Sequence, residues 1–280
     1  MTTTMHASMK NSGDFRAHVT ALLREKGRQE KTFKAGLSVS PESSAVLFLL
    51  SAHGPGGEKG KGPYLVLNKR SYRVKQPGDL CFPGGRVSPR LDRLLSALLR
   101  LPFSPLTRWP DWQVWKRNKI HEAGRLALLL ATSLRESLEE MRLNPLGIRF
   151  LGPLPAQDLQ LFRRTIYPMV GWINGQKRFF PNWEVEKIVS IPLKDFSNPD
   201  QYACCRFHFE IPNPHGPGGH TEDFPCFLHQ SGGEREVLWG VTYRMIMVFL
   251  ETVFHFNAPE RKSLRIIHGT IGERYMKGGA

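Results

Sequence analysis

Leu134-Arg135-Glu136-Ser137-Leu138-Glu139-Glu140 lies within a predicted helix running from about His121 to Leu143. At 3.6 residues per turn, Glu136, Glu139 and Glu140 stand at i, i+3 and i+4 and share one face. Like charges at that spacing disfavour a helix by roughly 0.2–0.5 kcal/mol per pair, and Arg135, four residues before Glu139, offsets only part of this. A hard divalent cation would offset the rest, because Mg2+ takes oxygen ligands and is commonly held by one or two carboxylates together with substrate phosphates. The plainer reading is a solvated acidic face. Against it, Leu126, Ala127, Leu128, Leu129, Leu130, Ala131 and Leu134 make the same helix strongly apolar. That composition predicts a buried helix whose acidic end reaches a surface.

Upstream stands Cys81-Phe82-Pro83-Gly84-Gly85. With Arg135-Glu136-Ser137-Leu138-Glu139-Glu140 it resembles the two halves of the signature of the Nudix hydrolases, a glycine followed at a distance by Arg-Glu-x-x-Glu-Glu. Leu65-Val66-Leu67-Asn68-Lys69-Arg70-Ser71-Tyr72-Arg73 and Gly78-Asp79-Leu80-Cys81-Phe82-Pro83-Gly84-Gly85 look like the extended motif of the coenzyme A diphosphatase branch. Pro168 to Trp172, Pro181 to Glu186, Ile191 to Leu193 and Trp239 to Thr242 fit in order, so the resemblance covers roughly residues 40 to 255.

The resemblance implies an α/β/α sandwich with a mixed β-sheet. It also implies hydrolysis, with Mg2+ or Mn2+, of a nucleoside diphosphate linked to another moiety, with coenzyme A or acyl-CoA giving 3′,5′-ADP and (acyl-)phosphopantetheine. Glu136, Glu139 and Glu140 would be metal ligands, with Glu136 alternatively the base. Arg135 would orient the carboxylates, and the Gly85 carbonyl would be a further ligand. Arg70, Ser71, Arg73 and Gly84 would contact the substrate. Glu184 and Glu186 are candidates for an additional ligand or base from outside the helix. The alternatives are another nucleotide substrate, such as NADH or ADP-ribose, or an impaired Nudix domain that binds nucleotide or nucleic acid.

Two features depart from the family pattern. Gly85 and Arg135 are separated by 49 residues where the pattern has 13. The acid expected six positions after the glycine is Leu91, and the interval supplies only Asp92, Asp111 and Glu122. Arg142 stands where a glycine is expected after the helix, leaving Asn144-Pro145 as the predicted stop.

The chain has 280 residues, of which 40% are hydrophobic, enough to bury a sizeable core. No apolar run reaches the 18 or so residues of a membrane span, and Met1-Thr2-Thr3-Thr4 lacks a signal-peptide core. A cytoplasmic protein without membrane contact is expected. The four cysteines show no C-x-x-C spacing and read as reduced thiols. A formal charge of +14 favours anionic partners, small nucleotides or coenzymes first, with nucleic acid and a homodimer left open.

Three parts are expected. Residues 1–35 form a helical leader, with Phe15, Val19, Leu22 and Leu23 as an apolar stripe ahead of the basic run from Arg24 to Lys34. Residues 36–258 form the catalytic domain, interrupted by an inserted segment at 86–120. Residues 259–280 form a basic, solvated tail. Ser44 to Leu50 and Tyr64 to Leu67 read as strands joined by a glycine-rich loop. Tyr167 to Trp172, Phe179 to Phe180 and Arg206 to Ile211 suggest more. The insertion carries nine Lys or Arg against three acids from Arg86 to Arg125. Its tryptophans, Trp109, Trp112 and Trp115, would pack it onto the domain or stack on a base.

Overall fold

The computed structural model describes residues 12–29, 33, 43–54, 59–159, 164–212 and 218–279. Its centre is strand β1 (Ser43–His53). Ala45, Leu47 and Leu49 project to one side and Val46, Phe48 and Leu50 to the other, each set into a different hydrophobic cluster. A strand buried on both faces reads as a continuous apolar run, as Ala45 to Leu50 does. Fully burying a side chain such as Phe48 contributes about 2–3 kcal/mol, and most of β1 is of this kind.

β1 pairs antiparallel with β2 (Lys59–Arg70) and parallel with β7 (Arg164–Ile173). The sheet is therefore mixed. β3 (Leu80–Cys81) and β8 (Val185–Pro192) border β2, β4 (Gly84–Arg86) adds to β1, and β5 (Ile148–Pro153) and β6 (Gln157–Leu159) pair with β7. On one face lies α1 (Ser12–Gln29), where Phe15, Val19 and Leu23 are buried as the leader's periodicity predicts. That part of the chain docks into the main core. The basic run after α1 falls partly outside the described residues.

The opposite face is covered by the insertion and the acidic helix. The insertion forms α2 (Leu91–Leu98) and α3 (Trp112–Asn118), and the acidic helix is α4 (Ile120–Met141). Leu126, Leu130 and Leu134 of α4 share a cluster with Ala45, Leu47 and Leu49. The α/β/α sandwich follows from the two faces of β1. Trp109 and Trp112 are buried and Trp115 partly so, and Trp109 Nε1 donates to the Leu151 carbonyl at 3.2 Å. The tryptophans thus hold the insertion to the domain and are not free to stack on a base.

α4 ends differently from the expectation. Arg142 itself adopts the left-handed conformation (φ 55°), with the Arg142 N–H on the Leu138 carbonyl and the Leu143 N–H on that of Ser137. This is the cap a glycine usually makes. Phe179 and Phe180 are not in a strand. Their segment crosses the end of α4, where the N–H groups of Phe180 and Asn182 satisfy the carbonyls of Met141 and Glu140.

A second, four-stranded sheet is built from β9 (Tyr202–Phe209), β10 (His220–Ser231), β11 (Glu234–Leu238) and β12 (Ile266–Ile271). Between β11 and β12 runs α5 (Gly240–Phe254), which packs Met245, Phe249 and Val253 onto the first sheet. The expected solvated tail is not one. β12 pairs parallel with β9 from Ile266 to Ile271, and α6 (Glu273–Lys277) follows it. The four cysteines are unbridged, three of them buried.

Candidate active site

The acidic face of α4 is organised by Arg135, whose side chain is only 10% exposed. Its Nη1 reaches Glu139 at 3.0 Å and its Nη2 reaches Glu136 at 2.9 Å. Its Nε donates to Asp92 Oδ1 at 2.7 Å, and Nη2 also reaches Asp92 Oδ2 at 3.3 Å. Asp92 is fully buried and also accepts from Thr132 Oγ1 and the Ser88 N–H. The guanidinium is thereby fixed in a plane with one carboxylate behind it and two in front. Burial opposes its charge, but Asp92, Glu136 and Glu139 hold it protonated well above the ordinary arginine range.

Glu140 sits deeper, accepting a 2.7 Å hydrogen bond from Asn68 Nδ2. Burial pushes its carboxyl up to about 8, and the charges of Glu136 and Glu184 add to this while Arg70 and the Gly84 backbone oppose it. Burial also raises Glu136, with Arg135 pulling the other way. A Cβ on Gly85 would collide with the Glu136 carboxylate, and one on Gly84 with the Ala45 carbonyl. Gly84 admits no side chain against the backbone, and at Gly85 one would push the Glu136 carboxylate aside, so the two glycines let the chain pass directly over the acidic face.

The chemistry of this donor set fits a hard divalent cation. Burial and mutual repulsion disfavour charge on Glu136 and Glu140, only partly offset by Arg135 and Arg70, and the buried Asn68 that touches Glu140 has an Oδ1 without a hydrogen-bond partner among the described residues. Among those residues no three His, Cys, Asp or Glu side chains are grouped closely enough to hold a metal alone. An ion here would draw remaining ligands from substrate phosphates and water, as Mg2+ commonly does.

Next to the glycine pair opens a cleft of about 450 Å³ lined by Arg70, Arg73, Lys75, Arg164 and Lys277, together with Gln76, Thr242, Trp239 and Tyr275. Its acidic member, Asp79, accepts from Tyr275 Oη at 2.6 Å and from Trp239 Nε1 at 3.0 Å. Burial raises the Asp79 carboxyl to about 6, against these two donors and Arg70. The opposite effect acts on Arg164, whose guanidinium is lowered by burial and by the charges of Arg86 and Arg70. The cleft is short of negative charge.

No protein-family model matches the chain. Over 135 residues it is 28% identical to a protein of Pectobacterium atrosepticum described as an uncharacterized Nudix hydrolase, NudL, covering 48% of this chain and 52% of that protein. The chain is similar to a Nudix hydrolase. It spans about half the length of that curated relative. Among solved structures, a MutT/nudix family protein from Enterococcus faecalis superposes with a TM-score of 0.38 at 10% identity, over 88% of this chain and 75% of that one. The NUDIX domain of Shewanella oneidensis NrtR, complexed with ADP ribose, gives 0.32 at 16% identity, over 61% and 84%.

Leu91, at the position where an acid is expected, is exposed to solvent. One position on, Asp92 faces inward and holds Arg135, so the extra chain lies between Asp92 and α4. Other residues fall in different places from one another. Arg70 and Arg73 line the cleft, as do Gly84 and Gly85. Ser71 does not: it is buried, with its Oγ donated to the Trp183 carbonyl at 2.8 Å. Glu184 is near enough for its charge to act on Glu140. Glu186 turns to Lys69 at 3.2 Å, in a cluster with Glu234 and Glu236. Asn68 and Asp79 were within quoted motifs without a role, whereas Tyr275 and Lys277 carried no signal.

Proposed function

We propose that the protein is a divalent-metal-dependent hydrolase of a nucleoside diphosphate joined to another moiety, with coenzyme A or its acyl derivatives as substrate. The observation that carries this reading is the junction at Gly84-Gly85. There the Arg135-ordered carboxylates meet a cleft rich in cations and walled by Trp239 and Tyr275.

Arg70, Arg73, Lys75, Arg164 and Lys277 would bind the phosphates, the guanidinium groups through two-point contacts. Glu136, Glu139, Glu140 and the Gly85 carbonyl would hold Mg2+ or Mn2+, which when bound stabilises charge on the phosphoryl oxygens and acidifies a water. Arg135 keeps Glu136 and Glu139 aimed together. Glu136 or Glu184 would take the proton of the attacking water. The alternative of an impaired binding domain rests on Leu91, the interrupted motif and the positive charge; the pairing of Asp92 with Arg135 speaks against the first of these, and the product analysis decides between the two readings.

The test is product analysis with purified protein, coenzyme A and Mg2+ or Mn2+, beside Glu140→Gln. Formation of 3′,5′-ADP and phosphopantetheine only by the unaltered protein is expected. Absence of product from a folded protein with either metal would overturn the reading. Faster turnover of NADH or ADP-ribose would move the substrate and leave the reaction class standing.

A further inference from the structure

Helix α2 is amphipathic the wrong way round for a soluble surface. Its polar side is the one that faces the protein, through the fully buried Asp92 and the buried Ser96. Leu95 and Leu99 are partly buried, Leu99 against the core, but Leu91, Leu94 and Leu98, continued by Leu101, face out at 44 to 61% exposed, and Phe103 is 85% exposed. At i, i+3, i+7 and i+10 the four leucines form one stripe along the helix and its last turn. Single exposed apolar residues are ordinary, but a stripe of large ones marks a contact surface.

Phe103 adds an independent sign. It is held at φ 65°, a left-handed conformation that a bulky side chain adopts only at a cost. The strain presents an aromatic ring to solvent where packing gains nothing.

The charges around the stripe say what would cover it. Arg90, Arg93 and Arg100 are exposed. The acids of the same segment are occupied: Asp92 with Arg135, Asp111 with Arg24 at 2.6 Å, and Glu122 with Lys119 at 3.6 Å. A second copy docked here would bring like charges together. An anionic lipid surface matches both features, taking leucines and Phe into the headgroup boundary and arginines onto its phosphates.

We propose that the α2 stripe with Phe103 is a peripheral docking surface for anionic membranes. No helix among the described residues is long and apolar enough to cross one, so the attachment is to the surface. The contact bears on the proposed catalytic helix, because the helix that would lie on the lipid also carries the aspartate that holds Arg135.

The experiment is co-sedimentation of the full chain with vesicles of phosphatidylcholine alone, or with phosphatidylserine at roughly three to one. It is repeated with the triple variant Leu94→Ser, Leu98→Ser, Phe103→Gly. The variant keeps every charge, glycine at 103 relieves the left-handed strain, and a thermal melt beside the wild type separates loss of the surface from misfolding. Binding to the anionic vesicles, weakened about tenfold or more in the variant, is expected. Equal binding by both proteins would overturn the proposal by reducing the attraction to net charge. A wild-type chain that ignores vesicles would overturn it as well. If light scattering then shows a dimer that the triple variant dissolves, the stripe is an interface between copies.

Discussion

Asp92 carries no mark in the sequence that separates it from Asp111 or Glu122. Which acid serves Arg135 depends on which way α2 is rotated, and that is set by packing across the more than forty residues that separate Asp92 from Arg135. Asp92→Asn would keep the shape and the Thr132 contact but leave the guanidinium without its buried counter-charge. Breaking such a pair costs about 3 kcal/mol. A fall of that size in urea-denaturation stability is expected, with at least a tenfold loss of kcat. Unchanged kinetics would mean that Arg135 keeps Glu136 and Glu139 aimed without the help of Asp92.

Asp79 makes a prediction of opposite sign to ordinary acid denaturation. Its carboxyl is raised from 3.8 to about 6, so between those values the folded state holds a proton that the unfolded state has lost. Its contribution is therefore fully present below about pH 4 and is lost as pH rises through 6, by about 3 kcal/mol in all. Asp79→Asn has no such proton to lose. The stability difference between the two proteins, followed by thermal melts, should shift in the variant's favour across that window. Burial and the neighbouring Glu136 charge raise Glu140 to about 8 and so favour its protonated form near neutral pH in the absence of metal. Mg2+ titrated calorimetrically into buffers of different ionisation enthalpy should release about one proton, and none from Glu140→Gln.

At the scale of elements, α4 and β1 were legible because each carries its own period. Seven apolar residues ahead of Glu136 bury one helix, and alternate residues of Ala45 to Leu50 enter two cores. Phe179 and Phe180 misled for the converse reason: aromatic residues favour strands, but here the local backbone completes the end of another element. The cap of α4 lends itself to a test. Left-handed geometry costs a residue with a side chain about 1–2 kcal/mol, part of which glycine returns as chain entropy. Arg142→Gly should raise stability by about 1 kcal/mol in chemical denaturation. Gly85→Ala should do the reverse to function, abolishing turnover by displacing Glu136 while changing the melting temperature little.

The whole molecule is held together by contacts between its distant parts. β9 and β12 are far apart in sequence yet pair in parallel, a join that no local pattern reveals. For this reason Tyr275 and Lys277 on the cleft's outer wall carried no signal in the sequence, while Trp239 and the floor, Gly84-Gly85, lay in recognisable motifs. Tyr275→Phe would remove the donor to Asp79 and leave α4 untouched. The expected signature is a several-fold rise in KM with kcat little changed; equal falls in both would place Tyr275 in the chemistry.

The same return of the chain sets an order of events during synthesis. Arg70, Gly84 and Glu140 leave the ribosome early and can assemble around β1, but Tyr275 and Lys277 emerge more than a hundred residues later. A nascent chain thus displays its acidic helix before it owns a complete substrate cleft. The cleft gains Tyr275 and Lys277 only once β12 and α6 have been made, so the acidic helix exists before all of the groups proposed to bind phosphate are in place.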